Sequence, residues 1–208
     1  MNYKLRIKKQ KKSGYLLLET MISVALFSIV IMAGMGALLN ANRLHNKSKD
    51  MRSILDNLSF SMDDMSKNIR TGYDYYCIPN GNNPIFPIPA VPSVWSGQNC
   101  IGIEFEPAGG GSPWAYLLNP AQGTISRTTD GGATWVVLTP TEAVITNSVF
   151  PFSVLGAEPP PDLANGQLGN DYQQPLVNIR LVGSILYQNN VNSPFSLQTS
   201  VSQMGIDI

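Results

Sequence analysis

The chain has 208 residues, with 14 Lys and Arg against 14 Asp and Glu and a formal net charge of zero, which leaves room for one ordinary domain and an additional segment. The neutrality hides an asymmetry: Lys4, Arg6, Lys8, Lys9, Lys11 and Lys12 crowd the N-terminus, whereas from Thr71 onward only Arg127 and Arg180 are basic, against nine Asp and Glu. So acidic a C-terminal part excludes non-specific binding to a nucleic-acid backbone, which needs a basic patch, and no direct nucleic-acid partner is expected.

Residues 1–14 have no core-forming pattern and read as a removable leader. Residues 15–39 are rich in Leu, Ile, Val, Met, Ala and Phe. As a helix this run measures about 37 Å, enough to cross a bilayer with some tilt. The basic residues before it then stay on the cytoplasmic side. A conventional secretory signal also joins a basic region to an apolar one. Its apolar region is shorter, however, and only Ala33–Ala37 loosely suggests a small-residue cleavage site. The run carries a single carboxylate, Glu19. A charge at that depth costs roughly 3 kcal/mol on insertion scales and normally has a partner.

A basic leader ending in Lys11-Lys12-Ser13-Gly14, the aromatic Tyr15, and Glu19 at a fixed offset resemble the type IV prepilin N-terminus, shared by pilins and by the pseudopilins of type II secretion. The resemblance implies cleavage between Gly14 and Tyr15 by a dedicated prepilin peptidase, N-methylation of Tyr15, and a role for Glu19 in filament assembly. Two departures are mild: Tyr15 stands where Phe is commoner, and Leu16-Leu17-Leu18-Glu19 replaces the commoner Thr-Leu-Ile-Glu. The implied role of Glu19 has a physical basis. A methylated amine remains cationic, and in a filament core of low dielectric it attracts the Glu19 carboxylate of a neighbour. That pairing sets the axial register of each arriving subunit; the alternative is a Glu19 paired within its own chain. Gly34 and Gly36 lie near the outer end of the run, either as a point of local melting or as small residues that let helices approach.

Residues 40–70 become polar without a break. Leu44, Met51, Leu55, Leu58, Met62, Met65 and Ile69 recur at helical spacing, with Asp50, Asp56, Asp63, Asp64, Lys67 and Asn68 on the other faces. The stripe is expected to lie on a sheet; a coiled-coil partner is the alternative. Thr71-Gly72 supplies the stop. Residues 15–70 thus read as one helix, half anchor and half packing spine.

Residues 71–208 read as the extracytoplasmic head. Pro79, Pro84, Pro87, Pro89 and Pro92 predict an irregular segment over 71–100, a candidate contact surface. Strands are expected at Ile101–Glu106, Trp114–Leu118, Thr124–Arg127, Trp135–Leu138, Ala143–Thr146, Ser148–Leu155, Leu176–Ile185 and Phe195–Ser202, with a loop over 156–174. One long helix followed by antiparallel strands is an α+β arrangement. The resemblance narrows it to a type IV pilin-like fold. Outside the cytoplasm, Cys77 and Cys100 are expected to form a disulfide closing the 71–100 segment, the alternative being two buried free thiols.

No nucleophile elbow, phosphate-cradling Gly loop or zinc ligand set stands out, so no catalytic residue, metal or cofactor is expected and the chain reads as a non-enzyme. Thr128-Thr129-Asp130-Gly131-Gly132-Ala133-Thr134-Trp135 matches the Asp-box pattern of a hairpin turn, with Trp packed beneath. A propeller needs several such repeats. Calcium at Asp130, or around Asn165, Asn170 and Asp171, fits no known loop spacing.

The C-terminal half also resembles the larger PilW-like minor pilins and the J-type pseudopilins, through Met62–Arg70, Gly123–Arg127 and the segments from Gln174 and Gln198. That resemblance implies a low-copy filament subunit aiding initiation or capping. Its expected partners are other major and minor pilins, the prepilin peptidase and the inner-membrane assembly platform. Its expected location is the inner membrane, with the head outside the cytoplasm, and then a pilus or pseudopilus on the cell surface or in the periplasm. The readings from other classes are a filament-displayed adhesin using the 77–100 and 156–174 loops, and a single-pass membrane-anchored binding protein.

Overall fold

A computed structural model describes residues 16–86, 96–146, 150–157, 174–187 and 191–204. The chain divides into two units, 1–50 and 51–208. One helix, α1 (Leu16–Thr71), runs through both.

In the first unit the described residues are helical and exposed throughout. No Pro interrupts them, and leucine, methionine and alanine favour the helix. Within the described residues, α1 alone is long and apolar enough to cross a membrane, which makes its first half a candidate membrane anchor.

The second unit is a sheet with the rest of α1 laid on it. Its strands are β1 (Tyr73–Pro79), β2 (Gly97–Glu106), β3 (Trp114–Asn119), β4 (Thr124–Thr128), β5 (Val136–Val137), β6 (Ala143–Ile145), β7 (Phe152–Leu155), β8 (Leu176–Tyr187) and β9 (Val191–Ser202). The order is β5-β4-β3-β2-β7-β8-β6, with β1 paired to β2 and β9 to β8. Every pairing is antiparallel. β2 and β8 each hold three neighbours and are the hubs. The class is therefore α+β.

The helical stripe does what its spacing predicts. Leu58, Met62, Met65 and Ile69 are buried, with Met51, Ile54 and Leu55 packed beside them. They meet the inward residues of the sheet, including Ile103, Phe105, Tyr116, Ile125, Ile179 and Leu181. Alternation selects these sheet residues: Ile103 and Phe105 turn to the helix while Gly102 and Glu104 turn away. Leu44 departs from the expected stripe and is 73% exposed. Among the described residues the packing face of the second unit begins at Met51.

Gly72 ends the helix. Its N–H donates to the carbonyls of Asn68 and Ile69 at 3.1 and 3.0 Å, and a Cβ there would collide with the ring of Phe105. The buried Tyr75 hydroxyl lies 2.6 Å from the carbonyl oxygens of Ile69 and Gly72, closing the orphaned helix end.

The segment 71–100 is more regular than its prolines predict. Tyr73–Pro79 is a strand, paired with β2 from Tyr73↔Glu106 to Pro79↔Cys100, and β2 begins at Gly97, ahead of Ile101. Aromatic Tyr75 and Tyr76 and buried Ile78 supply the strand preference, and Pro79 falls at its end, where a missing N–H does no harm. The expected strand at Ser148–Leu155 is β7 over its last four residues, and Trp135–Leu138 shortens to a two-residue pairing. Residues 87–95, 147–149 and most of the 156–174 loop lie outside the described residues.

Candidate functional site

The chemistry singled out at the N-terminus falls in two places. Gly14 and Tyr15 lie outside the described residues. Glu19 sits in the first turn of α1 and is exposed. Leu16, Leu17, Leu18, Met21 and Ile22 surround it in sequence, all exposed. Within the described residues this is a lone acid on a bare apolar helix.

Cys77 on β1 and Cys100 on β2 are joined, with a Cα–Cα distance of 5.3 Å. The bridge fastens two neighbouring strands at the point where the chain leaves β1 and where it returns. Closing a loop of about 24 residues contributes roughly 3 kcal/mol in the chain-entropy account. Both cysteines are buried among the core residues.

Helix and sheet are also tied by polar contacts. Arg127 on β4 donates to Asp64 of α1 at 2.7 Å, and its guanidinium lies 5.8 Å from the Trp114 ring centre. Asn68 of α1 donates to the Tyr116 hydroxyl at 3.1 Å, and burial pushes that phenol up to about 12. Ser61 donates to the Leu138 carbonyl at 2.9 Å, fixing the helix beside the chain leaving β5. Sequence reasoning placed Asp64 off the apolar stripe; its partner Arg127 is 63 residues away, and only the register of β4 brings the two together.

The Thr128–Trp135 turn satisfies itself. Asp130 accepts from the Thr128 hydroxyl at 2.8 Å and from the Thr134 N–H and hydroxyl at 2.9 and 2.6 Å. The Thr134 hydroxyl first, then its N–H and Thr128, pull the Asp130 carboxyl down to about 2. Both of its oxygens are engaged in the turn. Trp135 is half-exposed rather than packed beneath the turn, because β5 is an edge strand with only β4 beside it. Among the described residues no group of three or more His, Cys, Asp or Glu is arranged to hold a metal; Asn165, Asn170 and Asp171 lie outside them.

Glu104 went unnoticed in the sequence. It reads as the polar phase of an alternating strand, yet it is only 4% exposed. One oxygen accepts from the Ile85 N–H at 3.3 Å, and the other is buried without a hydrogen-bond partner among the described residues. Burial, with Glu106 adding, pushes the carboxyl from 4.5 to about 7, although the Ile85 N–H pulls the other way. Glu106 is itself raised, by burial and then by Asp74. An open depression of about 470 Å³ lies between residues 120–123, 144–146 and 182–184, and no acidic or basic side chain lines it.

No protein-family model, curated protein or solved structure matches the chain.

Proposed function

We propose that the chain is a minor pilin or pseudopilin, a structural subunit of a type IV pilus or of a type II secretion pseudopilus, with a type IV pilin-like fold. The observation that carries the reading is the division of labour along α1. Its first half is apolar and exposed, and its second half lays one stripe on an antiparallel sheet. A helix built this way keeps a long apolar rod for other chains while its own head stays folded. The sequence ahead of the rod supports the same reading. Lys11-Lys12-Ser13-Gly14, Tyr15 and Glu19 match a prepilin processing site.

In this reading prepilin peptidase cuts after Gly14 and methylates the new amine of Tyr15. The rod first holds the subunit in the inner membrane with the head outside. The membrane assembly platform then transfers it into a filament with other major and minor pilins. Glu19 pairs with the cationic N-terminus of a neighbouring subunit, since an ion pair in an apolar filament core is strong when both partners are in register. The acidic, disulfide-closed head remains at the surface, where the subunit aids initiation or capping.

The test is Glu19→Ala in the native host, followed through sheared filaments. The expected outcome is normal removal of residues 1–14 with loss of the subunit from filaments. Incorporation at the wild-type level would contradict the assigned role.

A further inference from the structure

The face of β1, β2 and β3 that turns away from α1 is also buried. Tyr76, Glu104 and Ala115 are paired across the three strands, so their side chains share that face, and all three are buried. The segment Asn80–Phe86 is fastened here. Asn82 N–H donates to the Pro79 carbonyl at 3.2 Å, and Ile85 N–H to the Glu104 carboxyl at 3.3 Å. The Phe86 ring rests on Gly132, where a Cβ would lie 2.7 Å from the ring carbons. Gly81, with φ of +87°, makes the turn that starts the crossing.

The strap therefore crosses a buried carboxyl beside a second acid. Glu106, from β2 itself, acts on it as a like charge, and Asp74 and the phenol Tyr76 come from β1. Ala115 opposite it on β3 is apolar, and Asn80–Phe86 contain no ionisable side chain. Among the described residues one oxygen has one backbone donor and the other has none.

We propose that Asn80–Phe86 is a pH-sensitive cover, closed over Glu104 while that carboxyl is protonated and lifted when its proton passes to solvent. A neutral carboxyl tolerates an apolar, donor-poor site; a carboxylate with an unsolvated oxygen and acidic neighbours does not. Water reaches that oxygen when the strap leaves the sheet. The single Ile85 N–H favours the charged form, but burial and Glu106 outweigh it, which sets the transition near neutrality. Lifting the strap frees Glu104, while the Cys77–Cys100 bridge still holds β1 to β2, so the sheet itself survives the opening.

The test is hydrogen–deuterium exchange of the strap peptides in the full-length chain in detergent micelles, from pH 5.5 to 8.5, corrected for intrinsic exchange. Wild-type protection over Asn80–Phe86 is expected to fall by up to about tenfold per pH unit as pH rises towards about 7 and to level off above it, the linkage limit for one proton. Glu104→Gln should hold the strap closed across the range, because a neutral amide oxygen still accepts from Ile85. Glu106→Gln should move the midpoint to lower pH by removing a like charge, and it keeps the test open if Glu104→Gln fails to fold. Equal wild-type protection at pH 6 and pH 8, a Glu104→Gln profile that follows the wild type, or a Glu106→Gln midpoint that is unmoved or raised would each overturn the proposal.

Discussion

Glu104 shows how a single carboxyl can couple the stability of the head to pH. Its value in the folded head, about 7, lies above its ordinary 4.5. The unfolded chain therefore ionises first as pH rises. The stabilisation from the neutral group is complete below about pH 4.5 and is lost as pH rises to about 7. Melting temperatures of wild type and Glu104→Gln, measured side by side, should differ in slope over that window, with the wild type falling relative to the variant. Parallel curves would remove Glu104 as the cause. The Asp64–Arg127 pair makes a smaller contribution, because both side chains are about one-third exposed, at 33% and 27%. A double-mutant cycle with Asp64→Ala and Arg127→Ala should give a coupling of about 0.5–1 kcal/mol. A coupling of zero would mean that the hydrophobic stripe alone fixes the helix.

The second half of α1 is where the elements meet, and its stripe was legible because helical spacing needs only local sequence. Leu58, Met62, Met65 and Ile69 are buried at the positions their periodicity assigns. Met65→Ala should destabilise the head by about 2–5 kcal/mol, whereas Leu44→Ala should change it by less than about 0.5 kcal/mol, both read by denaturant unfolding in micelles. Similar losses at both sites would mean that the stripe is covered along its whole length. The β1 strand was hidden for a physical reason: its neighbour in sequence is a proline-rich run, and what makes it a strand is pairing with β2 through Tyr76↔Glu104 and Cys77↔Ile103, more than 20 residues away along the chain. The same long-range pairing places the cysteines in bonding distance. Replacing both Cys77 and Cys100 with Ser should cost roughly 3 kcal/mol. An unchanged unfolding midpoint would show that strand pairing suffices there. Glu104 was illegible on similar grounds, since alternation tells which face a side chain takes but not whether that face meets water.

At the scale of the whole chain, charge and apolarity are segregated along the sequence. Residues 1–14 are basic, residues 15–39 are apolar, and beyond Thr71 acids outnumber Arg127 and Arg180. This order was readable along the sequence, and the α+β class from helical spacing followed by strand signatures; among the described residues one 56-residue helix precedes nine strands. Sequence alone left open which sheet face would be covered and which polar groups would be paired, since both depend on strand order. The central claim concerns the junction ahead of the rod, and the most direct test is the intact mass of the protein from its native host together with N-terminal peptide sequencing. The account predicts a chain that starts at Tyr15 and is heavier by one methyl group. A chain that still starts at Met1, in cells where prepilins are processed, would contradict it.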